Sequence, residues 1–223
     1  GQNRAMRHAA DSYRGGVVAA IPLAIAVGAF GVSFGVLAAA ARLGGAEAVL
    51  MSATTFGGSA QFAAVAVLTQ GGGVATALVA VALLNSRYLP IGASVASALH
   101  PNPVLRFFEA QLVVDESWAI AHQGERPLRR RLIGAGGLLY SAWVAGTIAG
   151  VLGGRFIGDP GRLGLDAAFP ALFLVLVVAQ LRSRRAAAAA LLGGAIAVSL
   201  VPFTPAGVPV LVASAACLLG LRR

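Results

Sequence analysis

The chain has 223 residues, of which 58% are hydrophobic and only 11% are charged, whereas soluble domains carry about 25% charged residues. A fold surrounded by water is therefore disfavoured, and the length is better read as a series of membrane crossings. The formal net charge of +9 comes from arginines in short clusters at the ends of apolar runs, a pattern of membrane topology and not of nucleic-acid binding.

Eight apolar segments follow one another along the chain. A backbone inside lipid must satisfy its own hydrogen bonds, and no alternating strands of a barrel occur, so the segments are predicted to be helices or interrupted helices. The first three and the fifth can cross a hydrocarbon core of about 30 Å, whereas the others are short. The segments are Gly16–Ala41, Ala48–Leu68, Val74–Leu99, Phe107–His122, Leu132–Gly154, Ala167–Leu181, Ala186–Val201 and Val208–Leu221.

The predicted fold class is all-α: a polytopic integral membrane protein with seven or eight membrane segments, some short or interrupted, forming a single domain over residues 1–223. Cytoplasmic loops collect Lys and Arg, but this rule barely separates eight crossings with the N-terminus inside from seven with it outside. The segment Phe107–His122 decides the number, because its polar residues fit either a short crossing or a half-helix. We interpret it as an interrupted crossing.

Small residues four positions apart suggest close helix packing or helix breaks. Gly146, Gly150 and Gly154 are best explained as a helix contact, since small residues at this spacing let backbones approach. Gly31 and Gly35 in the first segment, and the Gly57-Gly58 pair in the second, leave two alternatives open: packing, or a broken helix that lines a cavity.

Arg87 is the residue that most needs an explanation. It is predicted to lie inside the third segment beside Asn85, where a charge costs about 2.5–3.5 kcal/mol to insert and needs a partner or a water-filled path. Its expected partner is Asp115 or Glu116. The pairing could serve folding alone; in the functional interpretation Arg87 or a helix N-terminus holds a substrate carboxylate, and Asp115 or Glu116 exchanges a proton during transport.

The second segment supplies further candidate binding groups. Gly57 and Gly58 would let the backbone unwind and present amides and carbonyls, and Ser59 and Gln61 add hydrogen-bonding side chains. The alternative is that such hydroxyls bond back to their own helix. With Asn85 and Arg87, these four residues form the predicted substrate-binding set.

Other function classes lack their motifs. No G-x-S-x-G, H-E-x-x-H or G-x-x-x-x-G-K-[ST] string occurs, so neither an enzyme nor an ATP-driven pump is expected. The single cysteine, Cys217, leaves no disulfide or cysteine metal site, and no metal or cofactor is predicted. A passive channel could use the same polar residues and stays an alternative.

Several strings resemble signature stretches of the AzlC family in that family's order. They are IPLAIAVGAFGVSFGVLA from Ile21, MSATTFGGSAQFAAVAVL from Met51, LLNSRYLPIGAS from Leu83, VDESWAIA from Val114 and DAAFPALFLVLVVAQLRSRR from Asp166. The resemblance covers nearly the whole chain. There are departures at Ala29, Gly57 and Ser86, where the family commonly has proline, alanine and leucine, and they leave the substrate open.

The resemblance implies export of branched-chain or other hydrophobic amino acids across the bacterial cytoplasmic membrane, with a small AzlD-type membrane subunit as partner. It also marks Ser59 to Phe62, Asn85, Arg87, Tyr88, Asp115 and Glu116 as family-typical positions. We therefore expect a secondary active, proton-coupled transporter subunit. The alternative is a channel-like or scaffold subunit whose small partner completes or carries the substrate site.

Overall fold

A computed structural model of the protein describes residues 11–41, 43–122, 129–154, 174, 177–178, 181, 183–204, 208–213 and 215–216. Within these residues the regular structure is helical throughout, so the all-α prediction is confirmed there. In chain order the helices are α1 Tyr13–Ala40, α2 Gly45–Thr55, α3 Gly58–Thr69, α4 Val74–Asn85, α5 Tyr88–Val95, α6 Pro103–Ala110, α7 Asp115–Ala121, α8 Arg129–Gly154, α9 Arg184–Leu200 and α10 Val208–Ala213.

Two of the described helices are long and apolar enough to cross a membrane: α1, with 28 residues, and α8, with 26. The number rises to three if the interrupted pair α4 and α5 counts as one span. The predicted segment Ala167–Leu181 lies almost wholly outside the described residues, and Val208–Leu221 lies partly outside them. The total of seven or eight segments therefore stays a prediction.

The chain divides into two compact units. The first comprises Gly1–Gly58 and Asn85–Gly158, and the second comprises Ser59–Leu84 and Asp159–Arg223. The first unit thus contains α1, α2 and α5 to α8. The prediction of one transporter domain over residues 1–223 is not decided by this division and stays a prediction.

Glycines bring α1 and α8 into direct backbone contact in the first unit. A Cβ on Gly31 would lie 2.6 Å from the carbonyl oxygen of Trp143, and one on Gly150 would collide with the carbonyl oxygen of Val32. Since α1 is continuous from Tyr13 to Ala40, the glycines of the first segment serve packing and not a break. The packing interpretation of the Gly146 series is confirmed.

The two helices run parallel. Gly16 lies against Arg131, and Gly35 lies against Thr147, so the contacts advance in the same direction along both helices. At their N-terminal ends, the backbone N–H of Arg131 donates to the Asp11 carboxylate at 3.2 Å. If both helices cross the membrane, as their lengths allow, their parallel direction requires an odd number of crossings between the end of α1 and the start of α8.

This geometry predicts which chain ends share a side of the membrane. In a Cys217→Ser background, single cysteines at Arg14 and Arg130, near the starts of α1 and α8, should both react with a membrane-impermeant maleimide added to one side. Cysteines at Ala41 and Gly153, near the ends of the same helices, should react from the other side. Labelling of the Arg14 and Arg130 positions from opposite sides would contradict the parallel arrangement.

The segment Phe107–His122 is interrupted as expected, but it does not traverse the unit. It consists of the end of α6 and the whole of α7, two helices of 8 and 7 residues, and helices of that length rise only about 10–12 Å. Glu109 forms an ion pair with Arg129, Leu112 lies against Gly136 deeper along α8, and the Ile120 carbonyl accepts from Arg131 Nε at 3.1 Å. The segment thus enters and leaves at the N-terminal end of α8, and the predicted crossing is corrected to a re-entrant turn.

A small apolar cluster closes this end of the unit. Val95 and Leu99, at and beyond the end of α5, pack with Ala121 of α7 and Leu132 of α8, and all four are buried. The chain from α5 therefore reaches the same end of α8 as the re-entrant turn does.

The close approach of α1 and α8 predicts a position-specific cost of adding one methyl group. Gly150→Ala would place its Cβ against the Val32 carbonyl, and overpacking of this kind costs about 1–3 kcal/mol. Gly137→Ala on the same helix would meet nothing within 4 Å and is the matched control. We expect a lower Tm in detergent for Gly150→Ala alone; equal Tm values for the two variants would contradict the packing.

In the second unit, the buried residues of α3 include Ala60, Gln61, Phe62 and Val65. Helix α9 begins with Ser183 as N-cap, whose hydroxyl accepts from the Ala186 N–H at 3.1 Å. Gly193 of α9 faces Ala213 at the end of α10, where a Cβ would make ordinary contact at 3.4 Å.

Candidate functional site

Three interruptions of helical structure lie close together beside α8, along the stretch from Gly136 to Trp143. The first lies between α2 and α3 at Phe56 and Gly57, the second between α4 and α5 at Ser86 and Arg87, and the third between α6 and α7 at residues 111–114. Main-chain polar groups freed by such breaks need new partners when they lie at membrane depth. Their contacts with one another and with α8 define the candidate site.

The break after α2 is held by side chains from two other elements. Phe56 adopts a left-handed conformation with φ +30°, which ends the helix and leaves its last carbonyls without helical partners. The Ala53 carbonyl accepts from Tyr140 Oη of α8 at 2.8 Å, and the Thr54 carbonyl accepts from Gln111 Nε2 at 2.9 Å. The rings of Phe56 and Tyr140 meet edge to face with centroids 5.3 Å apart. These two of the freed carbonyls are therefore satisfied.

The same break places the predicted glycines beside two large side chains. A Cβ on Gly58 would lie 3.0 Å from the Trp143 ring, and one on Gly57 would lie 3.1 Å from Asn85 Oδ1. Trp143 is close to the midpoint of α8, so Gly58 lies near the middle of a helix long enough to span. The family that the sequence resembles commonly has alanine at position 57. In this chain the Cβ of that alanine would crowd the Asn85 amide.

Arg87 lies at the second break and not inside a helix, which corrects the sequence-based placement. It is the N-cap of α5. A continuous helix would set the ring of Pro90 against the Ser86 carbonyl and would leave that carbonyl without its donor, which accounts for the break. The Asn85 side-chain oxygen is buried and has no hydrogen-bond partner among the described residues.

The predicted pairing of Arg87 with an acidic residue is confirmed. Arg87 Nη2 lies 3.0 Å from Asp115 Oδ2, and the two side chains are 37% and 39% exposed. The guanidinium also donates to Tyr88 Oη at 3.3 Å and lies 5.1 Å from the centre of the Tyr88 ring. The ion pair is thus partly open, so a small polar molecule could reach both charges.

Asp115 and Glu116 form the first turn of α7, at the tip of the re-entrant turn. Buried Ser117 shapes this tip: its hydroxyl accepts from the Val114 N–H at 2.9 Å and donates to the Leu112 carbonyl at 2.7 Å. A further bond from Trp118 Nε1 to Ser94 Oγ at 2.9 Å joins α7 to α5. These bonds fix the carboxylates relative to the helix that begins after Arg87.

The predicted residues fall into two groups. Gly57, Gly58, Asn85, Arg87, Asp115 and Glu116 all belong to the first unit, whereas Ser59 and Gln61 belong to the second, where both are buried. No group of three or more His, Cys, Asp and Glu side chains suited to a metal ion occurs in the described part of the chain. The substrate-binding roles of six of these residues, and the proton-coupling roles of Asp115 and Glu116, stay predictions.

Tyr140 is the site residue that sequence reasoning missed. The sequence did contain an indication, since Tyr140 is a polar aromatic residue inside an otherwise apolar segment. A buried phenol usually finds a hydrogen-bond partner. Gln111 is one of the polar residues of the segment Phe107–His122, and its contact with α2 could not be predicted from the sequence.

Tyr140→Phe removes only the phenol oxygen and should loosen the break after α2. Leaving the Ala53 carbonyl unsatisfied is expected to cost about 1–3 kcal/mol, seen as a lower Tm and faster amide hydrogen exchange around residues 53–58. Ser141→Ala is the control, because Ser141 Oγ bonds to the Gly137 carbonyl of its own helix at 2.8 Å. Unchanged exchange in Tyr140→Phe would show that the bond does not hold the break.

Two comparisons with known proteins give matches. Residues 22–157 match the family described as AzlC protein, a range that includes the three interruptions and α8. An uncharacterized membrane protein of Archaeoglobus fulgidus is 32% identical over 194 residues, which cover 84% of each chain. No solved structure matches the chain. The chain therefore belongs to the AzlC family and is a membrane protein with a role related to transport.

Proposed function

We propose that this chain is the large subunit of a secondary active exporter that moves branched-chain or other hydrophobic amino acids out across the cytoplasmic membrane in exchange for protons. The observation that carries the proposal is the partly exposed Arg87–Asp115 ion pair at the meeting point of three helix breaks. Transporters commonly bind substrates at such breaks, near the middle of the membrane.

The ion pair offers complementary charges to a zwitterion. An amino acid would insert between Arg87 and Asp115, with its carboxylate on the guanidinium and its ammonium on the carboxylate, and no net charge would be added to the site. The buried oxygen of Asn85 supplies a further acceptor for the ammonium group. Arg87 suits the carboxylate because its planar guanidinium can bind both oxygens at once.

Proton coupling follows from competition at the acidic residues. A carboxylate of Asp115 or Glu116 can hold either a proton or the substrate ammonium, and not both at full strength. Protonation from the outside would therefore weaken substrate binding and favour release. A proton entering on each cycle would then drive an amino acid outward.

The test is accumulation of labelled leucine in cells that lack their own exporters. The chain is expressed alone, with a small AzlD-type subunit, and with that subunit after the Arg87→Ala change. Reduced accumulation with both subunits, lost in the variant, is the expected result. Unchanged accumulation in every combination would remove leucine as the substrate, and an effect that survives the Arg87→Ala change would move the site to the small subunit.

A further inference from the structure

Helix α6 exposes an apolar face that the first unit leaves uncovered. Val104, Leu105, Phe107 and Phe108 are 62%, 47%, 62% and 63% exposed, and no residue of the helix is buried. At 100° per residue these four side chains fall on one side, and Arg106 and Glu109 fall on the other. An isolated helix of eight residues is unstable in water, so an amphipathic helix of this length depends on what its two faces contact.

The polar face of α6 is fixed to the N-terminal end of α8. Glu109 pairs with Arg129, the first residue of α8, and its Oε2 accepts from the His100 N–H at 2.8 Å. Arg106 Nε donates to the His100 carbonyl at 3.0 Å. These contacts set the rotation of the helix about its axis, so the apolar face must point away from His100 and Arg129.

The contacts also set the level of α6 relative to the membrane. Helix α8 is long enough to span, and its first residues, Arg129, Arg130 and Arg131, form one of the arginine clusters that mark the membrane boundary. The Glu109–Arg129 pair therefore holds α6 at the boundary between lipid and water.

Exposed basic side chains lie at the same level. Arg14 near the start of α1, Arg106 of α6 and Arg130 of α8 are all exposed, and α1 and α8 begin side by side. Amphipathic helices that lie in the membrane interface have this composition, with phenylalanine and leucine on one face and arginine on the other. Exposed arginines at this level meet the phosphates of anionic lipids.

We propose that α6 lies flat in the membrane interface, with Val104, Leu105, Phe107 and Phe108 among the acyl chains and with Arg106, Arg130 and Arg14 on the headgroups of anionic phospholipids. The helix then anchors the entry of the re-entrant turn that carries Asp115. This proposal concerns the lipid surface and does not depend on the transported substrate.

Spin labels measure the depth of each face. In a Cys217→Ser background, single cysteines replace Val104, Phe108 or Ala110, the last of which lies on the polar side of the helix. The labelled full-length chain is reconstituted in vesicles of phosphatidylcholine and phosphatidylglycerol. Labels at Val104 and Phe108 should be more accessible to oxygen than to a water-soluble nickel complex, at a depth of about 5–10 Å, and the Ala110 label should show the reverse.

Other outcomes would overturn the proposal. Preferential nickel access at all three positions would place α6 in water. Low access to both reagents at Val104 and Phe108 would show that protein, either a second copy or another subunit, covers the face. Both outcomes are distinguishable from acyl-chain burial in the same measurement.

The headgroup contacts have a separate readout. Adding phosphatidylglycerol to phosphatidylcholine vesicles should raise the Tm of the protein, and Arg106→Gln with Arg130→Gln should remove most of that increase. The control is Glu47→Gln, an exposed charged residue at the start of α2, which should keep the full increase. An equal increase in the double arginine variant would overturn the role of these arginines.

Discussion

Arg87→Ala is expected to reduce leucine export by roughly thirtyfold or more. Removing one partner of a hydrogen-bonded charge pair costs about 2–5 kcal/mol, and the partial exposure of Arg87 and Asp115 argues for the low end of that range. A cost of about 2 kcal/mol corresponds to a factor of about 30. The measurement is the initial rate of labelled leucine efflux from preloaded cells.

A second variant separates loss of the site from loss of the fold. Arg87→Ala alone leaves the Asp115 charge without its guanidinium, which could destabilise the unit. The double variant Arg87→Ala with Asp115→Ala removes both charges and should recover expression and Tm without recovering export. Export at the wild-type rate in either variant would refute the binding role of Arg87.

A further control removes a different arginine of the first unit. Arg130→Ala removes an exposed side chain at the N-terminal end of α8. It is expected to lower stability modestly and to leave the ratio of export to protein at the cell surface near the wild-type value. A lower export rate in Arg87→Ala alone then shows that the effect depends on where the arginine lies and not on the loss of any arginine.

The helical fold and its closest packing could be predicted from composition and spacing. Apolar segments free of barrel-like alternation leave only helices inside lipid, and glycines four residues apart, as in the Gly146 series, indicate a backbone contact. The direction of that contact could not be predicted, because the same glycine spacing serves parallel and antiparallel helices. Only the order of contacts along α1 and α8 shows that they run parallel.

The ion pair could be predicted because few acidic residues lie in an apolar setting, which left Arg87 two candidate partners. The helix breaks were harder to locate. The Gly57-Gly58 pair signalled the first, and Pro90 was an available but unused signal for the second. The fold of residues 103–122 as a re-entrant turn depends on tertiary contacts with Arg129 and Arg131, which lie outside the segment itself.

The grouping of the predicted site residues also depends on tertiary contacts. Ser59 and Gln61 follow Gly57 and Gly58 directly in the sequence, yet they belong to the second compact unit. Tyr140 and Gln111, which bind the carbonyls at the end of α2, come from elements more than fifty residues away. Local patterns identify polar residues inside apolar segments, but they do not say which break each residue supports.

Replacing both Asp115 by Asn and Glu116 by Gln should abolish the pH dependence of export while leaving the protein folded. In the wild type, the rate of export is expected to rise as the external pH falls, because protonation of these carboxylates from outside favours substrate release. The amide variants keep the shape of the first turn of α7 but cannot exchange a proton. Their export rate should therefore be low and the same at every external pH.

The control for this experiment is Glu47→Gln, since Glu47 also lies in the first turn of a helix but is exposed and outside the site. It should keep the full pH dependence. The single variants Asp115→Asn and Glu116→Gln then identify which carboxylate carries the proton. Because Asp115 is the one bound to Arg87, we expect its loss to lower leucine affinity as well, whereas loss of Glu116 should change only the pH profile. If the double variant keeps the wild-type pH profile, proton exchange does not occur at these residues, and the coupling must be sought elsewhere in the transporter.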